Sequence, residues 1–206
     1  MKVKVFAPAV AIICGITLSS CAQQSAKVNS FTDPTFAGGQ IKTLAIFPIT
    51  NSSVAPSEAM RINQTVGPYI AGKNPSVHFI SPTEAIDKIN EAGLAQKWAD
   101  FKSAYASSGI PDATTLRAIG AAIGTDGILQ GAILKAISQD GMFGVRKGGV
   151  EVAIQFTIFD VRSGKVVWQA SSDGTSVTAT TLEAAPPLSE AIESATHKLA
   201  ESMPPL

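Results

Sequence analysis

Three scarcities in this 206-residue sequence each remove a class of function. Charged residues make up only 16%, with 16 Lys and Arg against 16 Asp and Glu. No basic field therefore exists to hold a nucleic-acid backbone, and no acidic run suggests a solvating tail. Aromatic residues are 6%, and Trp98 and Trp168 fall at core-like positions of their periodic patterns, which leaves no stacking platform for bases. Histidine and cysteine occur twice each. His78 reads as part of a short strand and His197 as part of the last helix, so they nominate no pair, and a zinc site lacks its usual ligands. No G-x-S-x-G elbow, phosphate-binding loop or dinucleotide fingerprint is present. Asp140, Asp160 and Asp173 stand at expected strand ends, where a carboxylate that accepts nearby backbone N–H groups explains them without catalysis. The expectation is a non-enzyme with no catalytic residue, no metal and no cofactor.

Long hydrophobic runs are also missing. The apolar stretch from Val5 to Leu18, behind Lys2 and Lys4, is shorter than the roughly 20 residues of a spanning helix and has the form of a signal peptide. It ends in Leu18-Ser19-Ser20-Cys21, which resembles the lipobox of bacterial lipoproteins. That resemblance implies cleavage after residue 20, a diacylglycerol thioether and an N-acyl group on Cys21, and attachment to a membrane. The residues after the cysteine are Ala22 and Gln23, without the Asp that retains this class at the inner membrane, so the resemblance implies the outer membrane with the domain facing the periplasm. Cys14 would leave with the leader and Cys21 would be blocked by lipid, so the folded body is expected to have no disulfide and to be stable by packing alone. Loss of Lys2 and Lys4 leaves 14 basic against 16 acidic residues.

Along the rest of the chain, residues 21–40 are polar, with Pro34 and Gly38-Gly39, and read as a flexible tether of about 25 Å root-mean-square reach. Residues 41–206 read as one periplasmic α/β domain. Ile41 to Ile49 is a nearly continuous apolar strand closed by Pro48. Ala59, Ile62, Val66 and Ile70 recur at helical spacing, with Gly67-Pro68 expected to kink the helix. After a short strand at Val77 to Ile80, Ser81-Pro82-Thr83-Glu84 is a capping-box start for a helix to about Gly93. Leu94, Trp98, Phe101 and Tyr105 form one face of the next helix, broken at Ser107-Ser108-Gly109. Pro111-Asp112 opens another, and Gly120 and Gly124 are both read as its C-terminal stop.

Thr125 to Asp173 reads as three strands in an antiparallel meander. Val150, Val152, Ile154, Phe156 and Ile158 alternate with Glu151, Gln155 and Thr157, which gives one dry face and one wet face. Arg162-Ser163-Gly164 is a tight turn, and Val166 and Trp168 are expected on one side of the returning strand. Gly174 to Pro187 reads either as an extension of that strand or as a loop. Leu188, Ile192, Ala195 and Leu199 define a closing helix. The fold class is thus α/β, in the α+β sense: a mixed sheet ending in a three-strand meander and packed with helices.

The motifs Ile-x-x-Leu-Ala-Ile-Phe-Pro at 41–48, Leu-Arg-x-Ile-Gly at 116–120, Gly-Thr-Asp-Gly-Ile-Leu-Gln-Gly at 124–131 and Phe-Asp-Val-Arg-Ser-Gly-Lys-Val-Val-Trp at 159–168 resemble the CsgG-type curli-assembly lipoproteins. Their relatives include the penicillin-binding-protein activator lipoproteins, with a core similar to the N-terminal domain of the Tol-system β-propeller protein. The resemblance implies a lipid-anchored module that binds another envelope protein. Its alternative is a homo-oligomeric secretion channel, and a third reading is a cell-wall hydrolase. A channel would need lipid-crossing strands of about ten alternating residues, and the connections here are short. The one unusual break, Ser138 to Gly149, is Gly-rich. It reads as a mobile hairpin tip or as a partner contact through Met142, Phe143, Arg146 and Lys147.

Overall fold

The computed structural model describes residues 23–51 and 54–206, and the lipobox residues Leu18, Ser19, Ser20 and Cys21 lie outside them. The strands and helices follow in the order β1 (Gln23–Thr32), β2 (Thr43–Ile46), β3 (Thr50–Asn51), α1 (Pro56–Lys73), β4 (His78–Ile80), α2 (Pro82–Glu91), α3 (Ala95–Ser108), α4 (Ala113–Ile123), β5 (Gly127–Gln139), β6 (Gly149–Asp160), β7 (Lys165–Val177) and α5 (Leu188–Ser202). The strands form one mixed sheet in the order β1-β7-β6-β5-β2-β4, with β3 continuing along β5 beyond the end of β2. Pairing is parallel among β2, β4 and β5, and antiparallel from β5 through β6 and β7 to β1. The expected mixed sheet with its meander is therefore present, widened by one strand.

Both sheet faces carry a core. On one, α1 and α5 bury Leu44, Ile46, Leu129, Val152, Ile154, Ile158 and Trp168. On the other, α2, α3 and α4 cover Ala45, Phe47, Ile80, Ile128 and Phe159. The continuous apolarity of residues 44–47 follows directly, because Leu44 and Ile46 face one core while Ala45 and Phe47 face the other. Side-chain caps open two of the helices where the sequence places them. Ser81 Oγ accepts from Glu84 N at 3.3 Å, and Asp112 Oδ1 accepts from Thr114 N at 2.9 Å.

Four expectations are corrected. Residues 23–32 are not tether: they pair along ten positions with β7, from Gln23 opposite Val177 to Thr32 opposite Trp168. Beyond them, Asp33 N bonds Val167 O at 2.9 Å and Gly39 N bonds the C-terminal Leu206 O at 2.7 Å. The strand escaped notice because it is an edge held by backbone pairing, with only Val28 packed on the core. Second, the strand expected from Ile41 to Ile49 is shorter: β2 spans only Thr43–Ile46 and ends ahead of Pro48, which has no N–H for a ladder. Third, Gly120 is no stop. A Cβ there would lie 2.2 Å from Val161 Cγ1, so it is the point where α4 presses on the sheet, whereas Gly124, at φ 78°, is the left-handed cap. Fourth, a bulge pairs Ile158 with Trp168 but Phe159 with Val166. Val166 and Trp168 therefore serve opposite cores.

Candidate functional site

Because β2 ends at Ile46, ahead of Pro48, and β4 is only three residues long, the carboxyl ends of the parallel strands lie open between α1 and α2. The result is a groove of about 850 Å³. Its floor is Ile46, Pro48 and Phe79, and its walls include Met60 and Gly67 of α1 and Ile86 of α2. This is the position, outside the carboxyl ends of parallel strands, at which open α/β sheets take ligands. Local chemistry holds the shape. Asn63 Oδ1 accepts from Ile49 N at 2.8 Å and ties α1 to the chain leaving β2. Gln130 Nε2 donates to the Pro48 carbonyl at 3.1 Å. At Gly67 α1 passes Ile46 at ordinary van der Waals range, a Cβ there standing 3.7 Å from Ile46 Cδ1. Met60, 60% exposed, stands at the rim. Among the lining residues Asp87 is the only carboxylate, so the groove offers apolar surface and no acid–base pair.

A second cleft of about 540 Å³ opens on the other side, where α3 meets the uncovered part of the sheet. Gln169 Nε2 donates to Thr157 Oγ1 at 3.2 Å and to Tyr105 Oη at 3.4 Å. Burial pushes the Tyr105 hydroxyl above its ordinary pKa, against the opposing pull of its bonds to Thr157 and Gln169, so it stays protonated at neutral pH. Beneath it runs a packed aromatic series: Tyr105 and Phe101 each meet Phe159 edge-on at 5.0 and 5.5 Å, and Trp98 lies 4.3 Å from Phe47. These contacts make Tyr105 part of the core's rim.

The four residues singled out in the Gly-rich break, Met142, Phe143, Arg146 and Lys147, are exposed at the tip of the β5–β6 hairpin. The tip is built, however, and not loose. Met142 N bonds Arg146 O at 2.8 Å, Arg146 N bonds Met142 O at 3.0 Å, and the turn between them passes through Gly144 at φ 66°. It is also sewn to the segment before α5 by Gly141 N to Glu183 O at 3.1 Å, Gly144 N to Thr181 Oγ1 at 3.2 Å and Ala185 N to Asp140 Oδ1 at 2.9 Å. Of the three carboxylates read as turn caps, only Asp160 caps its own turn, through Arg162 N and Ser163 N. Asp140 joins two loops, and Asp173 lies within β7 opposite Lys27. Asp126, passed over in the sequence, anchors β2 by accepting from Lys42 N and Thr43 N at 3.1 and 3.2 Å. His78 is exposed on β4, and His197 on α5 stands 3.2 Å from Glu201 and edge-on to Tyr69.

No protein-family model and no curated protein matches the chain. Among solved structures, it is similar to a subunit of the PelC dodecamer from Paraburkholderia phytofirmans, with a TM-score of 0.50 and 16% identity over 85% of this chain and 94% of that one. Lipoprotein GNA1162 from Neisseria meningitidis aligns with a TM-score of 0.42 and 12% identity over 78% and 99% of the two chains. The C-terminal domain of LpoB from Salmonella enterica aligns at 0.40 and 16% over 69% and 86%. The likeness to the PelC subunit is one of fold: the mixed sheet with helices described above.

Proposed function

We propose that the protein is a lipid-anchored, non-enzymatic docking module of the bacterial envelope, which holds an apolar segment of another envelope protein in the groove between α1 and α2. The observation that carries this reading is the groove itself, preformed at the open ends of the parallel strands and lined by Ile46, Phe79, Ile86 and the exposed Met60. The Leu18-Ser19-Ser20-Cys21 sequence supplies the anchor, and the missing Asp after Cys21 directs it to the outer membrane. The resemblance of the motifs at 41–48, 116–120, 124–131 and 159–168 to those of CsgG-type assembly lipoproteins supports an assembly role.

Met60→Glu and Ile86→Glu place charge in that groove. Crosslinking in cells from position 64, on the α1 wall of the groove, should capture one protein reproducibly, and both substitutions should abolish the capture while thermal unfolding stays close to wild type. Release of soluble fragments from purified peptidoglycan by the protein would overturn the non-enzymatic part of the proposal. The fold shared with a PelC dodecamer subunit favours one second reading, a homo-oligomeric assembly. Light scattering of the detergent-solubilised protein decides it, with a single large mass expected for a ring and a monomer against it.

A further inference from the structure

The register of the sheet brings the start of β1 to the same end as the hairpin tip. Gln23 pairs with Val177, Val177 with Gly149, and Gly149 with Gln139, so β1 begins in the row from which residues 140–148 project. Cys21 is two residues before Gln23, and covalent geometry keeps it within about 7 Å of that residue. At this end stand four exposed large apolar side chains: Met142 (52%), Phe143 (78%), Val145 (73%) and Leu182 (72%). Leu182 belongs to the segment before α5 that Thr181 and Glu183 sew to the tip. Arg146 and Lys147 are exposed beside them. Arg146 is aimed by its own bonds to Asp140 O at 3.2 Å and Gln139 Oε1 at 3.4 Å.

We infer that this end of the domain is a bilayer seat: Met142, Phe143, Val145 and Leu182 enter the boundary between headgroups and acyl chains, and Arg146 and Lys147 meet lipid phosphates. The inference rests on the lipid anchor at Cys21 proposed above. The occupant follows from the two-residue spacing between Cys21 and the first residue of β1. An acyl graft within two residues of β1 leaves no tether, so whatever lies at this end of the sheet is held against the membrane surface. Exposed apolar side chains beside two cations, Arg146 and Lys147, are a composition that interfacial binding uses, with the carboxylate of Asp140 turned to Ala185 N. Four apolar groups on a rigid double loop supplement the acyl chains and fix the tilt of the domain, which presents the rest of its surface to the periplasm in one orientation.

The test uses the full-length lipidated protein in vesicles of phosphatidylethanolamine and phosphatidylglycerol. A polarity-sensitive fluorophore is placed at Phe143→Cys, or at Ile110→Cys as a control; Ile110 is 73% exposed and lies beside the α4 start that packs on the β6–β7 turn. Position 143 should shift to the blue and be quenched by brominated acyl chains, with position 110 unaffected. A second arm uses the mature chain carrying Cys21→Ser, whose residual sedimentation with vesicles should rise severalfold with phosphatidylglycerol content and fall about tenfold in Phe143→Glu/Val145→Glu. Absence of quenching at 143 in protein whose Cys21 lipid is verified by mass spectrometry overturns the inference. So does a blue shift at 143 that appears only when envelope proteins are added, which would make the tip a protein contact. An unmodified Cys21 overturns the anchor instead, and vesicle binding of the Cys21→Ser chain then decides the seat on its own.

Discussion

The two faces of the sheet differ in how far their helices reach. On the face covered by α1 and α5, apolar residues are buried along the whole of β6, from Val150 to Ile158. On the opposite face the helices stop part-way. Thr157 and Phe159 are covered, while Leu134 is 57% and Ile137 38% exposed, and Lys135 and Glu151 meet in an ion pair at 2.8 Å with solvent on both. The contrast has a simple geometric origin. A 14-residue helix such as α3 rises about 21 Å, whereas a 13-residue strand such as β5 extends about 43 Å. Gly109, in the left-handed conformation at φ 69°, ends α3 before it reaches the far half of the hairpin. Stability should therefore reside on the first face and in the α3–α4 corner of the second, with the projecting half free to change.

Substitutions graded by position break or sharpen this contrast. Trp168→Ala, in the fully covered core, should remove about 3–5 kcal/mol of unfolding free energy in urea titration. Gly120→Ala forces a methyl group against Val161 and should cost about 1–3 kcal/mol, read as a lowered Tm. On the bare half, Lys135→Ala should change stability by less than about 1 kcal/mol, because the pair it breaks is solvent-exposed. A loss there as large as that of Trp168→Ala would erase the distinction. The smallest effect concerns pH. The side-chain bond from Thr115, followed by the backbone bond from Thr114, holds Asp112 below its ordinary carboxylate pKa. The unfolded chain then takes up the proton first, so this contribution is complete above about pH 4 and fades as pH falls through the lower folded value. Asp112→Asn should lower the neutral plateau slightly, leave the Tm in acid close to wild type, and so flatten the acid limb of a Tm-versus-pH curve.

Periodic positions were legible because burial by one neighbouring layer imprints directly on the chain. The alternation of residues 150–158 and the helical spacing of Leu116, Ile119 and Ile123 appear in the core as read. Signals carried by backbone were not. In β1, Ser, Asn, Lys and Gln make ten paired positions look like a linker, and the tip bounded by Gly141 and Gly148 is tied down by hydrogen bonds to a second loop about forty residues away. The groove between α1 and α2 was missed for the same reason. Its lining comes from β2, α1, β4 and α2, each contributing a few residues whose sequence pattern marks no shared site.

By itself the sequence determined which residues are dry and where helices begin, because hydrophobic period and capping chemistry act over a few neighbouring residues. It also carries the lipobox-like run Leu18 to Cys21, on which the proposed anchor rests. Only the tertiary structure decided that residues 23–32 join the sheet, that Gly120 is a contact, and that the start of β1 and the apolar tip share one end. Those outcomes rest on backbone pairing and close approach between segments far apart in the chain, and neither leaves a period to read.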